Sequence, residues 1–312
     1  MSKRDDVAAC RDAIMRDLQD RSTLGLNGLR APEQFERELP EPTDLLLITH
    51  DRLFYLEQTL PMLLDSSDDF RIFWWDNAST QQTRDFVEAH KDGRFVAQHM
   101  SPSNETQRRV TEWFLTQSRA EVIGKVDDDI LLPNGWCRTL SNALRCSARF
   151  GMLGCWIFAG EDWRPELASK RFQTFDGITL LRNLAVQGQS CVGRREVLER
   201  FFCVHKAGFP INQSKMSMSG LVNGFPVPLV MGHNMDDPRS PLCRFDEQTQ
   251  RPLGLTARTR KMHDPSSYGD WIHRDAIRRQ RRSFATELLL ERAKESRVAR
   301  IARRLTGLRL GW

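Results

Sequence analysis

EVIGKVDDDILLPNGW, residues 121–136, decides how this chain is read. Residues 121–126 form a short, largely apolar run of strand length, and it ends abruptly in Asp127-Asp128-Asp129. A strand buried on both faces reads as a continuous apolar run rather than an alternating one. Three adjacent carboxylates repel one another unless water or a cation neutralises them. Hard divalent cations take oxygen ligands and often bridge one or two carboxylates to substrate phosphates. An acidic turn or a helix N-cap is the plainer alternative for such a triplet, and the strand in front of it argues against that alternative.

Working outward, the same pattern recurs upstream. DLLLIT (44–49) is a second apolar run, followed by Leu53, Leu56, Leu60, Leu63 and Leu64 at helical spacing. RIFWW (71–75) is a third run and ends in Asp76-Asn77. Thr80–His90 and Thr106–Arg119 read as helices, with a short strand over 94–98 between them. Strand and helix thus alternate from 44 to about 150, which predicts βαβ units and a mostly parallel sheet. Ligands of such sheets bind beyond the carboxyl ends of the strands. Here those ends carry Thr49-His50-Asp51-Arg52, Asp76-Asn77 and Asp127-Asp128-Asp129. Asp76-Asn77 on its own is equally an Asx-turn. Arg108 and Arg109 open the helix that leads to the triplet strand and are candidates for phosphate contact; a solvated helix face is their alternative. GxGxxG, GxxxxGK[ST], HExxH and GxSxG are all absent, which disfavours a dinucleotide-binding dehydrogenase and a P-loop NTPase.

Composition sets the outer bounds. The chain has 312 residues, 40% hydrophobic and 28% charged, with eight Trp, enough for a substantial core and too apolar for wholesale disorder. Its longest apolar run, Met152 to Ala159, is far too short to span a bilayer. No apolar stretch follows the basic residues of the N-terminus, and seven Cys without CxxC spacing read as reduced thiols, so a cytoplasmic location is expected. The net charge of +5 is unevenly spread. Twelve of the 46 basic residues but only four of the 41 acidic ones lie between Trp271 and Trp312, so the body of the chain is slightly acidic and the tail strongly basic. At the other end, residues 5–22 read as a polar amphipathic helix with Val7, Ile14 and Leu18 on one stripe.

ITHDRLFYLEQTL (48–60), FWWDNASTQQT (73–83) and KVDDDILLPNGW (125–136) together resemble the nucleotide-binding half of family 2 glycosyltransferases of the GT-A fold. The resemblance is specific as a set, in order and spacing, over about 95 residues, and extends from about 44 to 240. It implies a GT-A α/β sandwich that transfers a sugar from a nucleotide-diphosphate donor to a hydroxyl with Mn2+ or Mg2+. By the same resemblance, Thr49, His50, Arg52, Asp76 and Asn77 bind the nucleotide, and Arg108 or Arg109 approaches the donor phosphates. Asp127 and Asp128 contact the nucleotide sugar, and Asp127 and Asp129 hold the metal. NGFPVPLVMGH (223–233) resembles a late strand whose final His lies near the metal, which makes His233 a further candidate ligand. QSCVGRREVLERF (189–201) resembles the strand and helix before the acceptor region.

The chain departs from the family at the catalytic base. Many members carry Glu-Asp about ten residues before the late Gly, and counting back from Gly224 reaches Asn212 and Gln213. Asp236 and Asp237 are the nearest carboxylates and become the candidate bases, with Glu161 and Asp162 further away; a retaining reaction and impaired transfer are the alternatives to a displaced base. The expected layout is an N-terminal extension (1–43), a GT-A domain (44–265, donor half 44–150 and acceptor half 151–265) and a basic amphipathic C-terminal helix (266–312). Phe284, Leu288, Val298, Ile301, Leu305, Leu308 and Trp312 form the stripe of that helix. It is expected either to lie on an anionic membrane, at the inner face, or to pack on the protein's own body or a second subunit; nucleic acid is a poorer fit. The acceptor is expected to be a glycan, a lipid-linked group or another hydroxyl compound, in bacterial-type surface polysaccharide or glycolipid synthesis. A nucleotidyltransferase and a non-catalytic sugar-nucleotide-binding protein are the alternative functions.

Overall fold

Three short apolar runs and one partly exposed edge strand become the parallel half of one nine-stranded sheet. A computed structural model of the chain describes residues 3–24, 33–203, 209–246, 251–252 and 265–295. The strands of the parallel half are β1 (Thr43–Thr49), β2 (Phe70–Asn77), β3 (Phe95–Ser101) and β4 (Val122–Asp127). β1 and β2 are buried on both faces along nearly their whole length, as continuous apolar patterning requires. The helices that follow them in turn are α2 (Leu53–Leu64), α3 (Gln81–His90) and α4 (Gln107–Gln117), preceded at the N-terminus by α1 (Lys3–Leu24). Leu18 of α1 is buried, and Val7 and Ile14 pack beside it against the core, on the stripe the spacing predicts.

The second half of the chain extends the same sheet. After the two-residue β5 (Ile130–Leu131) come α5 (Trp136–Arg145), β6 (Phe150–Gly154), the single-turn α6 (Pro165–Ala168) and the hairpin β7 (Phe172–Phe175) and β8 (Ile178–Asn183). Then follow β9 (Ser190–Arg194), α7 (Arg195–Leu198), α8 (Phe209–Met218), β10 (Val222–Pro226) and the short β11 (His233–Asn234), β12 (Phe245–Asp246) and β13 (Arg251–Pro252). The strand order is β3-β2-β1-β4-β9-β6-β10-β8-β7. β9 runs antiparallel between β4 and β6, and β8 antiparallel between β10 and β7; the remaining neighbours are parallel. Gly124 makes the β4–β9 contact possible, since a Cβ there would lie 2.6 Å from Leu45 Cδ2 and 2.9 Å from the Cys191 carbonyl oxygen. Gly135, at φ +83°, turns the chain out of the triplet loop into α5, a conformation that favours glycine.

This order fixes where a ligand binds. The chain passes from β1 to β2 to β3 on one side and returns to place β4 on the other side of β1. The reversal between β1 and β4 is a topological switch point, where crevices open at the carboxyl edge of an α/β sheet. The register brings Thr49 level with Asp76, and Ile48 level with Asp127.

The C-terminal segment is divided where the sequence predicts one continuous helix. α9 (Pro265–Arg281) ends, and α10 (Phe284–Glu295) begins under an N-cap in which the Thr286 amide donates to Ser283 Oγ at 3.2 Å. Phe284 is buried beneath the Arg182 guanidinium, 3.6 Å from the ring centroid, and Arg171 pairs with Glu287 at 2.6 Å. The start of the segment is therefore part of the folded body. Val298, Ile301, Leu305, Leu308 and Trp312 lie outside the described residues.

Candidate active site

The loops at the ends of β1 and β2 are stapled together. Asp51 and Ala78 both hold left-handed backbone, at φ +50° and +63°, which ordinary residues adopt only when their surroundings enforce it. The Asp51 carboxylate accepts from the Thr80 amide, and the Asp51 amide donates to Ser79 Oγ at 3.2 Å. His50 Nδ1 donates to the Asn77 carbonyl (2.7 Å), which leaves Nε2 to accept from Asn104 Nδ2 (3.1 Å). Asn77 also donates to Asn104 Oδ1 and accepts from the Glu105 amide, each at 2.7 Å. Asp76 is wholly buried, and its oxygens accept from Arg84 (2.7 Å), Thr49 Oγ1 (3.2 Å) and the Ser79 amide (3.2 Å). Thr49 and Asp76, expected to touch a nucleotide, brace this corner from within. Arg108 pairs with Glu112 at 2.7 Å, and Arg109 is exposed in the first turn of α4; neither contacts the aspartate triplet.

The triplet is concentrated negative charge held by two cations. Arg52 donates to Asp128 and, at 2.7 Å, to Asp129 Oδ2, spanning the gap between the β1 and β4 ends. Lys125, two residues earlier on the same face of β4, binds Asp127 and donates to the Gly188 carbonyl at 2.9 Å. Thr59 Oγ1 from α2 lies 2.9 Å from the Asp128 carbonyl and 3.1 Å from that of Ile130, fixing the loop's path. Burial, reinforced by Asp129 and Asp127, pushes the Asp128 carboxyl up to about 7 in spite of Arg52. Burial and the neighbouring Asp129 raise Asp127 as well. Asp129 Oδ1 is buried and has no hydrogen-bond partner among the described residues.

The late segment closes over this cluster. β11 pairs with β5, His233 opposite Leu131 and Asn234 opposite Ile130, and the Met235 amide donates to the Asp129 carbonyl at 2.9 Å. Asp236 is thereby placed on the triplet's cavity, with Tyr55 of α2 donating to Oδ1 at 3.3 Å. Burial first, then Asp129, pushes the Asp236 carboxyl up to about 8. The cavity has a volume of about 260 Å3, and Arg52, Asp127, Asp129 and Asp236 line it together with Tyr268 and Trp271 of α9.

Asp237 points elsewhere. It pairs with Arg239 at 2.6 Å, and Arg239 also grips the buried Asp162 through two bonds of 2.8 Å. The His233 ring accompanies it: Nε2 bonds Ser240 Oγ at 2.8 Å and the residue lines a neighbouring cavity of about 210 Å3, with Asp17 and Arg21 of α1. Burial lowers the His233 pKa, keeping the ring neutral. The two candidate bases are therefore separated: Asp236 faces the triplet and Asp237 is held in an ion-pair network. His233, expected beside the metal, pairs its backbone with Leu131, two residues beyond the triplet, while its ring turns to Ser240. Gln213 clamps the chain at Val186, accepting from its amide (2.7 Å) and donating to its carbonyl (3.0 Å).

Sequence reading placed Arg52 in a base pocket and did not single out Tyr55, Lys125, Tyr268 or Trp271. For the last two a signal exists: Tyr268, Trp271, Ile272 and Asp275 recur at three- and four-residue steps and all line the cavity. For Arg52 the partner lies about 76 residues away, and only the sheet order brings the two together.

The site fits a divalent cation on two counts. Four carboxylates (Asp127, Asp128, Asp129 and Asp236) face two cations (Arg52 and Lys125), an excess of two negative charges when all are ionised. Asp129 Oδ1 is a buried carboxylate oxygen of the triplet's cavity with no partner among the described residues. Among the described residues, no three His, Cys, Asp or Glu side chains form a ready-made metal shell, so substrate phosphate and water would have to complete the coordination.

No family model matches the sequence, and no curated protein matches it. Among solved structures, the mannosyltransferase PcManGT from Pyrobaculum calidifontis, in complex with GDP-Man and Mn2+, is similar over 96% of this chain and 90% of that one. The TM-score is 0.51 and the identity 17%. The fold is GT-A. Within it, β1–β4 with α2–α4 form the GT-A half that carries the switch point, and β9, β6, β10, β8 and β7 complete the sheet. S. aureus TarS in complex with UDP-GlcNAc is similar over 58% of this chain and 55% of that one, with 14% identity and a TM-score of 0.45.

Proposed function

We propose that this protein is a glycosyltransferase that moves a sugar from a nucleotide-diphosphate donor to an acceptor hydroxyl with a divalent cation. The observation that carries the proposal is the buried Oδ1 of Asp129, without a partner among the described residues, in an acid-rich cavity at the switch point of a GT-A sheet. The donors GDP-Man and UDP-GlcNAc named for the two solved structures belong to the same chemical class.

Asp127 and Asp129 would hold the cation, Mn2+ or Mg2+, with the diphosphate completing its shell. When bound, that ion supplies charge neutralisation for the departing diphosphate. Arg52 holds Asp128 and Asp129 in place and lies where it can also meet a phosphate oxygen. The His50–Asn77–Asn104 lattice shapes the nucleotide side, with Asp76 bracing it from below and Arg108 and Arg109 at its rim. Tyr268 and Trp271, stacked with ring centroids 6.0 Å apart, give the sugar an apolar wall. Asp236 accepts the acceptor hydroxyl's proton as the new bond to the anomeric carbon forms and the bond to the diphosphate breaks. Its raised pKa suits a base whose proton leaves once positive charge enters the cavity. This is the inverting route. A glycan or lipid-linked acceptor, used in surface polysaccharide or glycolipid synthesis at the inner face of a membrane, is consistent with the basic C-terminal segment.

Calorimetric titration of UDP and GDP, with Mn2+ and with chelator, tests the reading. Nucleotide and Mn2+ should bind jointly and more tightly than either alone, and Asp129→Ala should abolish the joint effect. Equal nucleotide affinity in Mn2+ and in chelator would remove the metal from the site.

A further inference from the structure

α9 has a second face. Its inner positions Tyr268, Trp271, Ile272 and Asp275 line the candidate active site. Roughly a third of a turn round the helix, Arg274, Ile277, Arg278 and Arg281 recur at the same three- and four-residue steps. With His273 and Arg282 they line an open groove of about 460 Å3 that holds no acidic residue. Arg278 is half-exposed and shared with Asp275 at 2.5 Å. Arg274, Arg281 and Arg282 are exposed and make no ion pair with any described residue. Like charges gathered this closely repel one another, and an anionic partner is what would relieve that repulsion.

We infer that the outer face of α9 docks the protein on a bilayer of anionic phospholipid. Charge complementarity supplies the attraction. Leu289 and Leu290 of α10 are 66% and 44% exposed, large apolar side chains presented to water. Beyond α10 the chain continues for 17 residues in which Arg297, Arg300, Arg303, Arg304 and Arg309 alternate with Val298, Ile301, Leu305, Leu308 and Trp312. A groove for single-stranded nucleic acid typically offers Phe, Tyr or Trp platforms for the bases, and none of these lines this one. Because another face of the same helix walls the candidate active-site cavity, docking brings that cavity close to the headgroups. Vesicle binding is read without turnover, so it succeeds or fails independently of the proposed transfer reaction.

The test is co-sedimentation of the full chain with phosphatidylglycerol or phosphatidylcholine vesicles at about 100 mM salt. The chain should bind the anionic vesicles and not the zwitterionic ones, and binding should weaken as salt rises. Replacing Arg274, Arg281 and Arg282 together by Gln should lower the partition coefficient roughly 100-fold. The triple Lys replacement should bind as the wild type does, which separates charge from folding. Three results overturn the inference: unchanged binding by the triple Gln protein, equal binding to both lipids, or tighter binding to single-stranded RNA than to anionic vesicles.

Discussion

Arg52 and Asp129 meet at 2.7 Å through Oδ2, and the other oxygen of the same carboxylate, Oδ1, is buried without a partner among the described residues. One half of the group is neutralised by the protein, and the other half is left for something that binds. The same guanidinium also holds Asp128, so one side chain restrains two carboxylates of the triplet.

Arg52→Gln should therefore destabilise the ligand-free protein severely, by about 3–5 kcal/mol, because it leaves buried carboxylates uncompensated. Mn2+ should recover part of that loss. Urea denaturation with and without Mn2+ measures both effects, and a variant as stable as the wild type in chelator would refute the counter-cation role.

Asp236 carries a pH signature. Its carboxyl is pushed up to about 8 by burial and by Asp129, against an ordinary value near 4 in the unfolded chain. Between those values the folded state binds the extra proton, so its stability falls as pH rises from about 4 to about 8. Below about 4 both states are protonated and the effect vanishes; above about 8 the full cost is present. In chelator, Asp236→Asn should flatten this part of the stability profile, raising the urea midpoint at pH 8.5 more than at pH 5. The same variant should lower turnover by roughly 10²-fold or more while donor binding persists.

Asp237→Asn separates the two carboxylates. Its partner is Arg239, so the variant should lose stability and keep turnover per folded molecule within several-fold of the wild type. A loss of turnover matching that of Asp236→Asn, with stability intact, would move the base to Asp237.

Asp162 is the anchor of the network behind the site. It is wholly buried, accepts two bonds from Arg239 and one of 2.6 Å from His273, and its carbonyl accepts from Gln280 at 2.8 Å. It thus ties α9 to the loop that carries Asp236. Burial opposes its ionisation, yet the bonds from Arg239 and His273 win, so its carboxyl lies below the ordinary range. The stabilisation is present above the ordinary carboxylate pKa and is lost as pH falls through the lowered value. Asp162→Asn should cost about 3 kcal/mol at neutral pH and expose α9 to proteolysis. An unchanged melting temperature and an unchanged digestion pattern would refute the anchoring role.

Most of the parallel half of the fold was legible because β1, β2 and β4 are buried on both faces: DLLLIT and RIFWW become β1 and β2 within one or two residues of the expected ends. The strand-end polar residues were legible for the same reason, since position after a buried strand is a local property. β5 and β11 were not, because two-residue strands have no periodicity to read, yet their pairing brings Asp236 to the triplet. The roles of Arg52 and Tyr55 depend on which strand neighbours which. Tyr55 meets a carboxylate 181 residues away, and no local pattern records that. The division of the C-terminal segment was missed because the apolar stripe read there begins at Phe284, just beyond the Ser283 cap, and carries no information about α9.

The reaction proposed for this protein is sugar transfer from a nucleotide-diphosphate donor. Its most direct test incubates the full chain with a panel of nucleotide sugars and Mn2+ and measures the nucleoside diphosphate released. Release from at least one donor is predicted, with a loss of roughly 10²-fold or more in both Asp129→Asn and Asp236→Asn. No release from any donor, or release that survives both substitutions, would contradict the account.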